Sequence, residues 1–241
     1  MAVHTRLTKR EISDILRVYR IGNLLNFSGI QEGIENTNYK IKTTNNYYIL
    51  TIFEERVNKK NLPFFLNLML NCSKKKICCP KPILDTSGKL TNNFKKKKIA
   101  LFSFLSGKSK KNWSEINCFD VGKTLGEFHT VNKSFKDKIS NEFGLVFWKE
   151  IFKKMDRFKL DSIIPGIHKL LKKELEIINH SWPKNLPKGI IHADLFPDNV
   201  FFKERKISGI LDFYFSCHDF LIYDLAITIN AWCFKKEKFN Q

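Results

Sequence analysis

The sequence predicts an α+β chain of two lobes, the first built around an antiparallel sheet and the second mostly helical. Three observations predict it. Three strand-like runs crowd into residues 24–53, behind a single capped helix. A short polar stretch, residues 106–112, interrupts the apolar pattern near the middle. Helical periodicity then dominates, broken by one strand–loop–strand–turn–strand segment over residues 189–213.

Thr8 followed by Glu11 is a capping box, and Ile12, Ile15, Leu16 and Tyr19 follow it at helical spacing, which predicts a helix over 9–20. Strands are predicted over 24–30, 38–43 and 47–53, with Asn45-Asn46 as the tight turn between the last two. Pro63 opens a helix that reaches Leu70, and Pro80 and Pro82 break the chain. Asp85-Thr86-Ser87-Gly88 is a turn between two further strands, the second over 99–105. The lobes are therefore expected at 1–105 and 113–241, joined by a hinge at 106–112. In the second lobe, Ile116, Phe119, Leu125 and Phe128 predict a helix ending at His129, and another is predicted over 163–179. The apolar stretch over 220–234 contains Asp224 and Asn230 and is shorter than the ~20 residues of a membrane span, so it reads as a buried helix.

Composition bounds the function. The chain has 241 residues, 43% of them hydrophobic and 13% aromatic, which is enough to build a core and excludes global disorder. A formal charge of +18 suggests a polyanionic partner, but only seven arginines contribute to it and they are scattered. Base-reading surfaces favour clustered arginine, so the charge reads as a lysine-rich surface and no nucleic-acid partner is expected. The six cysteines form no C-x-x-C pair and no zinc spacing. The opening MAVHTRLTKREISDIL is too charged for the apolar core of a secretory leader, and with free thiols this predicts a cytoplasmic protein without a membrane partner.

The chemistry concentrates in His192-Ala193-Asp194-Leu195-Phe196-Pro197-Asp198-Asn199 and, downstream, Ile210-Leu211-Asp212-Phe213. Phosphoryl transfer from ATP needs a carboxylate to orient the attacking hydroxyl and oxygen ligands to hold Mg²⁺ against the phosphates. Asp194 suits the first task, Asn199 and Asp212 the second. The five-residue step from Asp194 to Asn199 matches the catalytic-loop spacing of protein kinases, and apolar flanks place both acidic residues at strand ends. His192 is expected to brace the loop. A lone His-x-Asp beside a proline is an ordinary turn, so the weight rests on the combined pattern.

This pattern resembles the aminoglycoside-phosphotransferase and choline-kinase superfamily, and the resemblance implies its two-lobed protein-kinase-like fold. GIQEGIENTNYKI, YYILTIFEERV, NLPFF, GIIHADLFPDNVFF and ISGILDFYFSCHDFLIYDLAITINAWCF, with the opening MAVHT, are similar to one member family, the homoserine kinases. No P-x-x-G-L-G-S-S run is present, which excludes the unrelated homoserine kinases built on that loop. The resemblance implies ATP and Mg²⁺ as cofactors and transfer of the γ-phosphate to the hydroxyl of L-homoserine, on the way to threonine. It implies nucleotide contacts at Gly29, Gly33 and Asn38 in the first strand pair and at Ser103, Phe104 and Leu105 where the sheet ends. Asp198, Tyr214, His218, Asp224 and Asn230 are near the catalytic segment in sequence, and of these Asp198, Tyr214 and Asp224 are the candidates for the acceptor amino acid. Local capping or core hydrogen bonding explains each of them equally well.

Two departures stand out. The third strand carries Thr51 where kinases place a phosphate-binding lysine, which leaves Lys40 or Lys42 as candidate replacements. Members of the resembled family also run on for several helices beyond the N-A-W-C-F segment, so a C-terminally incomplete second lobe is expected. Another small-molecule kinase of this fold, or an inactive fragment of it, remain the alternative readings.

Overall fold

The computed structural model describes residues 3–31, 36–54, 58–235 and 238–239. Its first half is a sheet of β1 (Leu24–Ile30), β2 (Thr37–Thr43), β3 (Tyr47–Phe53), β4 (Pro82–Ile83), β5 (Asn92–Phe94) and β6 (Lys97–Ser103). The order is β1-β2-β3-β6-β4, with β5 also on β6, and every pairing is antiparallel.

Both faces of this sheet are covered, which is why β3 and β6 read as continuous apolar runs. On the back face Ile41, Leu50, Ile52, Ile99 and Leu101 pack against Ile12, Ile15 and Leu16 of α1 (Lys9–Leu16). On the front face Ile49, Phe53, Ala100 and Phe102 join the larger core with α2 (Leu62–Lys74), which buries seven side chains. The Thr8–Glu11 capping box forms at the start of α1. The helix stops at Leu16 rather than at residue 20, because Val18 turns its carbonyl to the Thr86 N–H and leaves the helical ladder.

The polar stretch after β6 is pinned rather than free. Lys108 pairs with Phe202 through two backbone hydrogen bonds of 3.0 and 2.8 Å, fastening the segment to the hairpin of β8 (Val200–Lys203) and β9 (Lys206–Ile210).

The second half holds α3 (Glu115–Val131), α4 (Leu145–Lys154), α5 (Arg157–Ile163), α6 (Ile167–Ser181), β7 (Lys188–Ile191), β10 (Cys217–Phe220) and α7 (Leu221–Trp232). The helix predicted over 163–179 is α6, which starts four residues later, at Ile167, because Pro165 and Gly166, whose φ of +80° is left-handed, separate it from α5. Helix α4 lay outside the predicted elements. In α3 the buried stripe is Val121, Leu125 and Phe128, while Ile116 and Phe119 face outward. The apolar stretch over 220–234 forms α7, which contacts α3, β7 and β10. No helix among the described residues is long and apolar enough to cross a membrane.

Candidate active site

Strand β7 delivers His192, Ala193 and Asp194 to one end of the second-half core. Ala193 has φ +63°, a left-handed conformation that costs a non-glycine residue about 1–2 kcal/mol. The surroundings hold it there. Asp224, in the first turn of α7 and fully buried, accepts the His192 N–H at 2.8 Å and the Ala193 N–H at 2.9 Å. Its Oδ2 also meets His129 Nε2 at 2.8 Å, so three groups from two other elements converge on one carboxylate. A buried carboxylate survives because every oxygen is hydrogen-bonded.

The imidazole of His192 ties the two halves of the motif together. Its Nδ1 accepts from the Asp194 N–H at 3.3 Å and its Nε2 donates to the Leu211 carbonyl at 2.9 Å, which fixes the neutral tautomer with the proton on Nε2. Burial pushes its pKa down, so the ring stays neutral. Leu211 is gripped a second time, its N–H donating to the Asn199 carbonyl at 2.8 Å. The residue carrying Asp212 is thereby fixed against both ends of the loop carrying Asp194.

Asn199 ends the turn over Pro197–Asn199 and folds back on Asp194. Its amide nitrogen donates to Asp194 Oδ2 at 2.6 Å and to the Asp194 carbonyl at 2.9 Å. With the NH₂ edge on Asp194, the amide oxygen is the edge suited to a cation. Asp212, at φ +57°, starts the turn over Phe213–Phe215, and its carboxylate accepts from the Tyr214 N–H. Asn199 oxygen and Asp212 carboxylate are hard donors, the chemistry Mg²⁺ requires, and a set this small leaves positions for phosphate oxygens and water. No group of three or more His, Cys, Asp or Glu that could hold a metal ion by itself exists among the described residues.

On the nucleotide side the picture is mixed. Asn38 and Thr51 stand opposite each other on β2 and β3, and the Thr51 hydroxyl donates to Asn38 Oδ1 at 2.7 Å. The threonine at the usual lysine position thus orients a neighbouring amide. Of the candidate replacements, Lys40 and Lys42 both have their ammonium groups over the Tyr47 ring, and Lys40 also over Phe104, towards the far end of the strand pair from Thr51. Gly29 lies within β1, where a Cβ would come 2.8 Å from a Val3 methyl carbon, so the glycine makes room for the N-terminal segment. Gly33 lies outside the described residues. At the sheet's end the Ser103 N–H is taken by the Lys81 carbonyl and the Phe104 N–H by the Tyr47 carbonyl. Leu105 follows them as the next backbone donor.

Of the acceptor-site candidates, Asp198 is exposed beside Asn199. Tyr214 and Asp224 are turned to other uses. The Tyr214 ring makes edge contacts with Phe53 and Phe65, joining the catalytic segment to β3 and α2, and burial, with the Asp212 charge, pushes its pKa up. Asp224 is fully buried beneath the loop carrying Asp194, with both oxygens hydrogen-bonded to groups of His129, His192 and Ala193. Two residues that the sequence motifs did not flag also belong here. One is His129. The other is Trp232, whose indole N–H donates to the Leu195 carbonyl at 2.7 Å and whose own carbonyl accepts from Trp113. The available signal was an aspartate inside an otherwise apolar helix, which must find buried donors.

The family model described as phosphotransferase enzyme family matches residues 26–238. Among curated proteins, homoserine kinases from Xanthobacter autotrophicus and Rhizobium meliloti are each 40% identical over 237 residues, covering 98% of this chain and 74% and 72% of their own lengths. A homoserine kinase from Chelativorans sp. is 41% identical, with 73% of its length covered. Among solved structures, an amicoumacin kinase in complex with AMP-PNP and Ca²⁺ superposes with a TM-score of 0.73 at 14% identity, covering 93% of this chain and 69% of that one. A spectinomycin phosphotransferase in complex with ADP and spectinomycin gives 0.69 at 17%, covering 92% and 74%. These two share the fold. The chain belongs to the phosphotransferase enzyme family.

Proposed function

We propose that this member of the phosphotransferase enzyme family is a homoserine kinase, moving the γ-phosphoryl group of ATP to the side-chain hydroxyl of L-homoserine to give O-phospho-L-homoserine, a step towards threonine. The observation that carries the phosphoryl-transfer reading is the junction of Asp194, Asn199 and Leu211–Asp212 through His192 and the Asn199 carbonyl. The acceptor is supported by relatives named homoserine kinase, 40–41% identical over almost the whole chain.

In this reading Asp194 orients the acceptor hydroxyl and takes its proton as the oxygen attacks the γ-phosphorus. The Asn199 amide sets the rotamer of that carboxylate, and Asn199 and Asp212 hold the cation. Bound Mg²⁺ supplies charge neutralisation on the phosphates. The Leu105 N–H meets the adenine edge beside Ser103 and Phe104, and the Asn38–Thr51 pair meets the phosphate end. Asp198, exposed beside the cation ligands, is the candidate for the acceptor's ammonium group.

An acceptor comparison tests the proposal. With Mg²⁺-ATP, ADP release is expected to depend on L-homoserine and to be far slower with choline or an aminoglycoside. Preferred turnover of either of those would transfer the chain to another small-molecule kinase activity, and release independent of any acceptor would remove the assignment.

A further inference from the structure

Parts of three segments that carry the resemblance to homoserine kinases, residues 3–5, 37–39 and 52–54, meet on the back of the sheet through His4, Thr5, Thr37 and Glu54. Residues 3–8 form a strap across the back of β1 and β2. Val3 covers Gly29. The Leu7 N–H donates to the Tyr39 hydroxyl at 2.9 Å, and that hydroxyl donates to the Thr5 carbonyl at 3.0 Å.

The centre of the strap is Thr37, fully buried at the start of β2. A threonine hydroxyl has one proton to donate and two lone pairs. All three are used: Oγ1 accepts from the N–H groups of His4 at 3.0 Å and Thr5 at 3.1 Å, and donates to Glu54 Oε1 at 2.8 Å. Glu54 also accepts from the Thr5 hydroxyl at 2.7 Å, and Lys97 closes the network on Glu54 Oε2 and, at 2.8 Å, on Thr5 Oγ1. Burial raises the Glu54 pKa, but hydrogen bonds from Lys97, Thr5 and Thr37 outweigh it and hold the carboxyl below its ordinary value.

This network does not touch the front face, yet it is one residue from it. Successive strand residues face opposite sides, so whatever holds Thr37 behind the sheet aims Asn38 in front of it. Asn38 is the residue that Thr51 orients, and Thr51 occupies the position where kinases carry a phosphate-binding lysine. We infer that the strap is a positioning device for nucleotide binding: Thr5, Thr37, Glu54 and Lys97 fix the back of β2 so that the Asn38–Thr51 pair is set for the nucleotide. The inference rests on the kinase reading given above. It accounts for a chain that lacks the third-strand lysine and yet keeps a Lys–Glu pair in the same sheet: the pair acts from behind, on backbone position.

The test measures Mg²⁺-ATP binding by titration calorimetry, together with kcat and the KM for each substrate. Thr37→Val keeps the shape and removes all three hydrogen bonds. It is expected to weaken ATP binding about tenfold, with the KM for the acceptor and kcat changed much less, and Thr37→Ser is expected to restore binding. Thr5→Val, a milder cut at the same network, shifts ATP binding in the same direction by a few-fold and covers the case in which Thr37→Val does not fold. Wild-type ATP affinity in folded Thr37→Val or Thr5→Val, with only the melting temperature lowered, would reduce the strap to a structural element and leave the kinase reading intact. A wild-type chain that binds no Mg²⁺-ATP would overturn both.

Discussion

The catalytic segment and the back of the nucleotide sheet are both held by a single carboxylate, but in opposite surroundings. Asp224 is wholly buried and binds two backbone N–H groups and a histidine. Glu54 lies near the surface, its side chain 11% exposed and its lysine partner 34% exposed, and it binds two hydroxyls and that lysine. The first arrangement fixes a backbone conformation that the chain would otherwise leave. The second ties a terminal strap that water and salt can reach. The buried anchor is shielded from solvent and ions and the partly exposed one is not, so salt and pH should act on the second and spare the first.

Changing the reacting group itself should give the largest effect. Asp194→Asn is expected to lower kcat at least ~10²-fold with Mg²⁺-ATP binding little altered, as loss of a positioned base should, and steady-state kinetics beside calorimetry will show the split. Near-normal turnover would remove Asp194 from the role.

Next comes the buried anchor. Asp224→Ala leaves the His192 and Ala193 N–H groups unsatisfied in the core, at about 1–3 kcal/mol each, and frees Ala193 from its left-handed conformation. Urea unfolding is expected to show a stability loss of that size, accompanied by a fall in kcat that added salt does not reproduce, and wild-type stability would remove the contrast between the two carboxylates. Trp232→Phe retains the packing and removes only the hydrogen bond to Leu195, so a loss of about 1 kcal/mol and a few-fold decrease in kcat are expected.

The smallest effects should come from solvent. Glu54 is depressed in the folded state, so its contribution is fully present above the ordinary glutamate pKa and fades as pH falls through the depressed folded value. ATP affinity is therefore expected to weaken on acidification in the wild type and to lose that part of its pH dependence in Glu54→Gln. Since the Glu54–Lys97 pair is partly exposed, its worth is about 1 kcal/mol or less and should shrink with ionic strength. An equally salt-sensitive Asp224 effect would erase the distinction between the two carboxylates.

How far the sequence could be read follows from how local each contact is. Asp194, Asn199 and Asp212 fall within one strand–loop–strand segment, so their spacing carried their arrangement, and strands β1 to β3 sit within a residue of their predicted bounds. Contacts between distant segments were not legible. Thr5, Thr37 and Glu54 are separated by up to 49 residues, and nothing in their spacing joins them. The closeness of Gly29 to Val3, where a Cβ would crowd a methyl group, is likewise a contact between distant segments that spacing does not reveal. Asp224 looked like an acceptor-site residue because it follows the catalytic segment closely, but closeness along the chain does not set the direction of a side chain, and this one points beneath the loop. Helix α4, absent from the sequence reading, buries none of its side chains, so it adds nothing to the core that the reading was tracing.

Phosphorylation of an amino-acid hydroxyl is the activity proposed for the site around Asp194. The most direct measurement is phosphorus NMR of a reaction containing the protein, Mg²⁺-ATP and L-homoserine. A phosphomonoester resonance of O-phospho-L-homoserine is expected to grow in step with ADP and to be lost in Asp194→Asn. Bound nucleotide without that resonance, or an equal yield of it from Asp194→Asn, would overturn the assignment.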